Sequence, residues 1–199
     1  MDAPWQILHG GDGVAEVVSR SMEHPPAATP DREGHDLDRA LDDRDRRHLR
    51  RCLELAREAL DAGDEPFGSL LVDAAGVVRF EDRNREGAGD ATAHPELAIA
   101  QWAVANLSPD ERRASIVYTS GEHCPMCSAA HAWVGLGRIV YAASTEQFTQ
   151  WRREEGLAPG PVAPLPVAVV APGVPVAGPD PELSAEVREL YRTLLRSRR

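Results

Sequence analysis

The sequence predicts an α/β fold, a sheet with helices on both of its faces, and three observations carry that reading. Helical and extended patterns alternate between residues 43 and 153. The strand candidates are short apolar runs of the kind that a doubly covered sheet requires. Two of the helix candidates open on a proline, Pro95 and Pro125, in the first turn, where the missing N–H has no partner to lose.

Taken in order, Leu49, Leu53, Ala56 and Leu60 recur at helical spacing between Asp43 and Ala62, and Gly63 provides a stop. Leu70 to Val72 is an apolar run that Ala74-Ala75-Gly76 turns toward Val77-Val78-Arg79-Phe80, a hairpin pattern. A helix from Pro95 to about Leu107 follows, then a strand over Ile116 to Thr119, a helix opening at Cys124, a strand over Ile139 to Ala142 and a helix over Glu146 to Arg153. Eight of the sixteen prolines fall between Pro159 and Pro181, which reads as a stiff extended connector. Within it, Val167 to Val170 is expected to add an edge strand. Leu183, Val187, Leu190, Tyr191 and Leu194 then give Glu182 to Arg198 a helical pattern. The expected division is an N-terminal arm over 1–40, poorly structured because Gly and Pro are frequent and apolar periodicity is weak; a catalytic domain over 41–154; and a connector with a C-terminal helix over 155–199.

With 42% hydrophobic residues, 199 residues suffice for one core of ordinary size. All 22 basic residues are arginine, and the absence of lysine excludes a Schiff base and a P-loop. A formal charge of -10 weighs against a nucleic-acid partner. With no apolar run long enough to span a bilayer and no basic-then-apolar leader pattern, a cytoplasmic protein without a membrane partner is expected. Three cysteines make a disulfide framework improbable, and Cys52, among Leu49, Leu53, Leu55 and Ala56, reads as a buried inert thiol.

The chemistry resides in Ala93-His94-Pro95-Glu96 and His123-Cys124-Pro125-Met126-Cys127. One imidazole and two thiolates favour zinc over the hard cations, which prefer oxygen ligands. Three protein ligands, His94, Cys124 and Cys127, leave a fourth position for water, whose pKa zinc lowers to about 7. Glu96, two residues past His94, is placed to move protons without ligating. Both motifs would stand at helix N-termini, whose partial positive charge favours thiolate and carboxylate. A redox C-x-x-C would leave His94 and Glu96 without a role. A closed structural site would need a fourth ligand, for which His131 is the candidate.

From about Asp45 to Gln150 the chain resembles the cytidine deaminase superfamily, nearest its guanine deaminase and tRNA adenosine deaminase branch. The resemblance is ordered through Pro66-Phe67-Gly68-Ser69, Asp82-Arg83-Asn84-Arg85, Asp90-Ala91-Thr92-Ala93-His94-Pro95-Glu96 and Thr119-Ser120-Gly121-Glu122-His123-Cys124-Pro125-Met126-Cys127. It implies a three-layer α/β/α fold with a central mixed sheet. It also implies zinc held by His94, Cys124 and Cys127, with Glu96 as catalytic acid and base. Asn84 would hydrogen-bond the base and Phe67 would border the pocket. The Glu122 carbonyl would face the departing amine and the Cys124 N–H the developing oxyanion. Pro95 stands where the family usually has Ala, and His123 where it usually has Pro. For His123 two readings stand, a pocket contact and a solvated turn. Trp102 and Trp133 are expected in the core, and His9, His24, His35 and His48 at the surface.

The activity implied is hydrolytic deamination of a small amino-substituted nucleobase or nucleoside, with guanine leading, then cytosine or a triazine-like base. A tRNA adenosine deaminase and a non-catalytic zinc module are the alternatives. The resemblance further implies a homodimer and a C-terminal segment that closes the active site as a lid or docking arm; an ordinary packed helix is the competing reading.

Overall fold

The structure is a computed structural model and describes residues 41–197. The arm expected over 1–40, with His9, His24 and His35, lies outside the described residues. Helix α1 (Asp43–Asp61) begins on a reciprocal cap, in which Asp42 Oδ1 accepts the Asp45 N–H and Asp45 Oδ2 accepts the Asp42 N–H. The helix buries Leu49, Cys52, Leu53 and Ala56 on one side, as the spacing of its apolar residues requires.

Five strands form one mixed sheet in the order β2-β1-β3-β4-β5. Strand β1 (Gly68–Val72) lies antiparallel both to β2 (Val78–Arg83) and to β3 (Ile116–Gly121), while β4 (Arg138–Ala143) runs parallel to β3 and to β5 (Val176–Ala177). Side chains alternate between the faces. Leu70, Val72, Tyr118, Val140 and Ala142 join Leu49 and Leu53 of α1 and Leu183, Val187, Tyr191 and Leu194 of α7 (Pro181–Ser197). Leu71 and Val117 turn to Ile99, Ala100 and Ala103 of α2 (Pro95–Asn106), beside α4 (Pro125–Val134). This is the three-layer α/β/α arrangement, in which the doubly covered strands β1 and β4 are buried throughout and β3 from Val117 onward, while β2, at the edge, is not.

Three local expectations are corrected. Val167–Val170 is a one-turn helix, α6, and the edge strand is Val176–Ala177 instead. Glu122 Oε1 accepts the Val167 N–H at 2.9 Å and Pro166 caps the turn, so the backbone group that would pair with a strand is already engaged. Trp133 is 86% exposed, because α4 buries Cys127, Ser128 and His131 and position 133 points away from them. His48 is half-buried, its ring 4.7 Å from that of Tyr118. The helix expected over Glu146 to Arg153 is α5 (Thr145–Glu154), and the pattern did not mark α3 (Pro109–Arg113), a single turn capped by Ser108. No described helix is long and apolar enough to cross a membrane.

Candidate metal centre and active site

Two helix N-termini meet at the site. His94 is the N-cap of α2, with Pro95 in the first turn and Glu96 directly after it; Cys124 is the N-cap of α4, with Pro125 and Cys127 in its first turn. The two helices pack on one another beside the sheet, which brings together residues some thirty positions apart in the chain. The Sγ atoms of Cys124 and Cys127 each lie 3.6 Å from His94 Nδ1. A tetrahedral zinc with Zn–S near 2.3 Å and Zn–N near 2.0–2.1 Å separates nitrogen from sulfur by about 3.6 Å. The donor set therefore fits zinc in both chemistry and spacing, and all three ligand atoms lie within 4.8 Å of one another. Among the described residues no fourth His, Cys, Asp or Glu joins them. His131 is turned away, Nε2 lying 2.8 Å from Gly137 O.

The charges of the three groups are coupled. The hydrogen bond from Cys127 and the neighbouring His94 bring the Cys124 thiol down to about 4. The bond to Cys124, followed by burial, drives Cys127 far above the ordinary thiol range. Contact with Cys124 lifts His94 to about 9 against its burial. A metal here requires both thiols as thiolates and the imidazole neutral, so binding would be coupled to proton release.

Glu96 is buried beside this group. The Ser69 hydroxyl donates to its Oε1 at 2.8 Å, and the Thr119 hydroxyl lies 3.0 Å from the same oxygen. Burial raises the Glu96 carboxyl above its ordinary value, with His94 opposing. Ser69 and Thr119 face each other across the β1–β3 pair. Neither was singled out from the sequence, although a serine in an otherwise apolar strand was the available signal.

A cavity of about 230 Å³ opens on the site. His94, Glu96 and Cys124 line it together with Phe67, Phe148 and Thr149, and Val162 to Pro164 of the connector also line it. The Phe67 and Phe148 rings are 5.3 Å apart. Glu122 also lines the cavity, and its carboxylate accepts the N–H groups of Thr145 and Val167. Two residues expected to contact the substrate do not line this cavity. Asn84 is fully buried and bonded to Glu86. His123 is 1% exposed and packs edge-on against His131, without a hydrogen-bond partner for either ring nitrogen among the described residues. The solvated-turn reading of His123 is thereby corrected, and neither residue is among those lining the cavity. The C-terminal helix α7 belongs to the core, with Leu183 and Val187 fully buried.

Fold and site together define a zinc-binding deaminase domain. The profile of the cytidine and deoxycytidylate deaminase zinc-binding region matches residues 42–143, just over half of the chain, and the chain belongs to that family. It is 32% identical over 119 residues to a probable cytosine deaminase of Schizosaccharomyces pombe, a match covering 60% of this chain and 72% of that protein. It is 34% identical over 89 residues to a tRNA-specific adenosine deaminase of Agrobacterium fabrum, covering 44% of this chain and 58% of the relative. The fold matches a solved guanine deaminase of Nitrosomonas europaea with a TM-score of 0.58 at 22% identity, covering 78% of this chain and 86% of that one.

Proposed function

We propose that the protein hydrolyses the exocyclic amine of a small nitrogen heterocycle to a carbonyl, releasing ammonia, with zinc held by His94, Cys124 and Cys127. One observation carries the reading: His94 and Cys124 line a cavity together with the buried carboxylate of Glu96, and Cys127 brings a second thiol to 3.6 Å from the same His94 nitrogen. When bound, the metal lowers the pKa of water to about 7. Glu96 takes one proton of the attacking water and passes it to a ring nitrogen as the C–O bond forms; it then takes the second from the hydroxyl of the tetrahedral carbon and gives it to the amine, so that C=O forms as C–N breaks and ammonia leaves. Its raised pKa suits a group that must act both as base and as acid. Ser69 and Thr119 hold the carboxylate, and Phe67 and Phe148 supply apolar walls for a flat ring.

At about 230 Å³ the cavity is smaller than the ~300–1,000 Å³ typical of ligand pockets, which supports a free base over a nucleotide. Guanine leads, followed by cytosine and triazine-like bases. The tRNA deaminase relative supports a second reading, which the net charge of -10 opposes; salt-dependent tRNA binding would reveal it. The presence of residues 162–164 in the cavity lining supports a lid role for the connector. The exposed Trp133 supports a homodimer through α4, checked by sedimentation.

The decisive experiment is ammonia release by the zinc-loaded chain from guanine, cytosine, adenine, isocytosine, melamine and their nucleosides. Turnover of at least one is expected. E96A keeps its zinc but loses about 10²–10⁴-fold in rate, and C124A loses both. An E96A variant as active as wild type removes Glu96 from the mechanism.

A further inference from the structure

The carboxylate of Glu86 faces the outer side of the His94 ring. Its Oε1 lies 2.9 Å from His94 Nε2, while Nδ1, across the ring, lies 3.6 Å from both cysteine sulfurs. An imidazole that donates from Nε2 presents the Nδ1 lone pair, so this contact selects the tautomer and fixes the ring plane. Glu86 is itself held. Asn84 Nδ2 donates to the same Oε1 at 2.8 Å, and Asn84 Oδ1 accepts the Glu86 N–H at 3.0 Å.

The turn that carries both residues is pinned on three sides. The Asn84 N–H donates to Phe67 O and the Arg85 N–H to Ala93 O, one residue before His94. The Gly87 N–H donates to Asp64 Oδ1 at 2.8 Å, and Asp64 Oδ2 accepts from Arg83 Nη1 at 2.6 Å. A Cβ at Gly87 would lie 2.6 Å from Asp64 Oδ1, so a side chain there would displace the carboxylate that anchors the turn. A fully buried carboxamide bonded twice to one acid, on a turn tied down this firmly, is a rigid support aimed at His94.

We propose that Asn84 and Glu86 form an outer clamp for the metal site. Glu86 orients His94 with Nδ1 toward the thiols, and Asn84 orients Glu86. Both are positioning residues: Glu86 touches the ligand His94, and Asn84 acts on it through Glu86. The inference rests on the zinc reading of His94, Cys124 and Cys127. It has a physical consequence beyond geometry, because a carboxylate behind a ligating imidazole increases its donor strength, and losing such a partner reduces metal affinity about 10–100-fold.

The test measures zinc affinity by chelator competition on the full chain, with circular dichroism confirming that each variant folds. E86A is expected to bind zinc at least tenfold more weakly. E86Q, whose amide oxygen still accepts the Nε2–H, recovers most of that loss. N84A weakens zinc binding as E86A does, and the double variant adds little to either, as two members of one unit should behave. In zinc-loaded wild type, nitrogen-15 imidazole shifts should show metal on Nδ1 and a proton on Nε2 of His94. Metal on Nε2 overturns the proposal even if a variant fails to fold. E86A that binds zinc as tightly as wild type overturns it while leaving the zinc reading intact. N84A with wild-type zinc affinity and a raised KM does the same and returns Asn84 to the substrate. Wild type that binds no zinc ends both readings.

Discussion

Ser69 Oγ lies 2.8 Å from Glu96 Oε1, although the two residues are 27 positions apart and stand on a strand and a helix. Ser69 is fully buried, and so is Thr119, the second hydroxyl at that oxygen. Glu96 therefore depends on two sheet hydroxyls for its orientation. A hydrogen bond to a charged group contributes about 1.5–3 kcal/mol, and each 1.36 kcal/mol is tenfold in rate. S69A is expected to lower kcat by about tenfold or more, with zinc content unchanged as measured by atomic absorption. Unaltered kcat would mean that Thr119 alone suffices.

Gly121 ends β3 between the two rings of the cavity wall. A Cβ there would lie 2.9 Å from ring atoms of both Phe67 and Phe148, closer than side chains approach one another. G121A must push at least one ring, and both rings line the cavity. The expected outcome is a KM raised several-fold for the preferred base with zinc affinity retained. If KM stays at the wild-type value, the aromatic pair is not the wall that meets the ring.

The ligand set and its placement on two helix N-termini were legible in the sequence because each is local. His94 and Glu96 are two residues apart, Cys124 and Cys127 three, and each pair straddles a proline that marks a first helical turn. What was not legible depends on partners distant in the chain. Nothing near Val167 announces that Glu122, 45 residues earlier, will take its N–H and turn a β-branched run into a helix. Ser69 and Glu86 look like a strand residue and a loop acid until the fold sets them against Glu96 and His94. Trp133 was misplaced because tryptophan is usually buried, whereas helical phase on α4 turns it outward.

Asp180 joins the C-terminal helix to the first. Its Oδ1 accepts the Glu182 and Leu183 N–H groups, capping α7, and its Oδ2 lies 2.9 Å from Arg46 Nε on α1. Burial pushes its carboxyl up, but the Leu183 N–H, the Arg46 guanidinium and the Glu182 N–H outweigh it and hold the group below its ordinary value. A carboxyl whose pKa is lower in the folded chain stabilises fully above its unfolded value, near 3.9, and loses that share as pH falls through the folded value. D180N keeps the capping oxygen and removes both the charge and the acceptor that faces Arg46 Nε. Its urea midpoint, measured with chelator so that zinc release does not enter, should fall below wild type at pH 7 and converge with it as the pH drops below the unfolded carboxyl value of about 3.9. A gap of constant size across that range would mean that the charge is not what Asp180 contributes.

Gly68 and Gly63 separate two reasons for a glycine. Gly68 opens β1 where the strand passes under α1, and a Cβ there would sit 2.4 Å from Leu55 Cβ, 2.5 Å from Cys52 O and 2.8 Å from Ala56 N. Two of these neighbours are backbone atoms of a helix whose buried side is core, so relief requires moving α1 off the sheet. Gly63 ends the same helix with φ at +87° and nothing within 4 Å of its Cβ direction, so only backbone conformation opposes a side chain there. Overpacking costs ~1–3 kcal/mol or more, and an alanine at positive φ costs ~1 kcal/mol. G68A is therefore expected to lose at least ~3 kcal/mol, lowering Tm by roughly 6–12 °C for a chain of this size, and G63A about a third of that. Because Gly68 adjoins Ser69, the shift should also disturb the hold on Glu96, so residual G68A activity at a permissive temperature should fall while that of G63A does not. Equal melting temperatures for the two variants would show that α1 yields to the extra carbon and that the close approach is not what requires glycine.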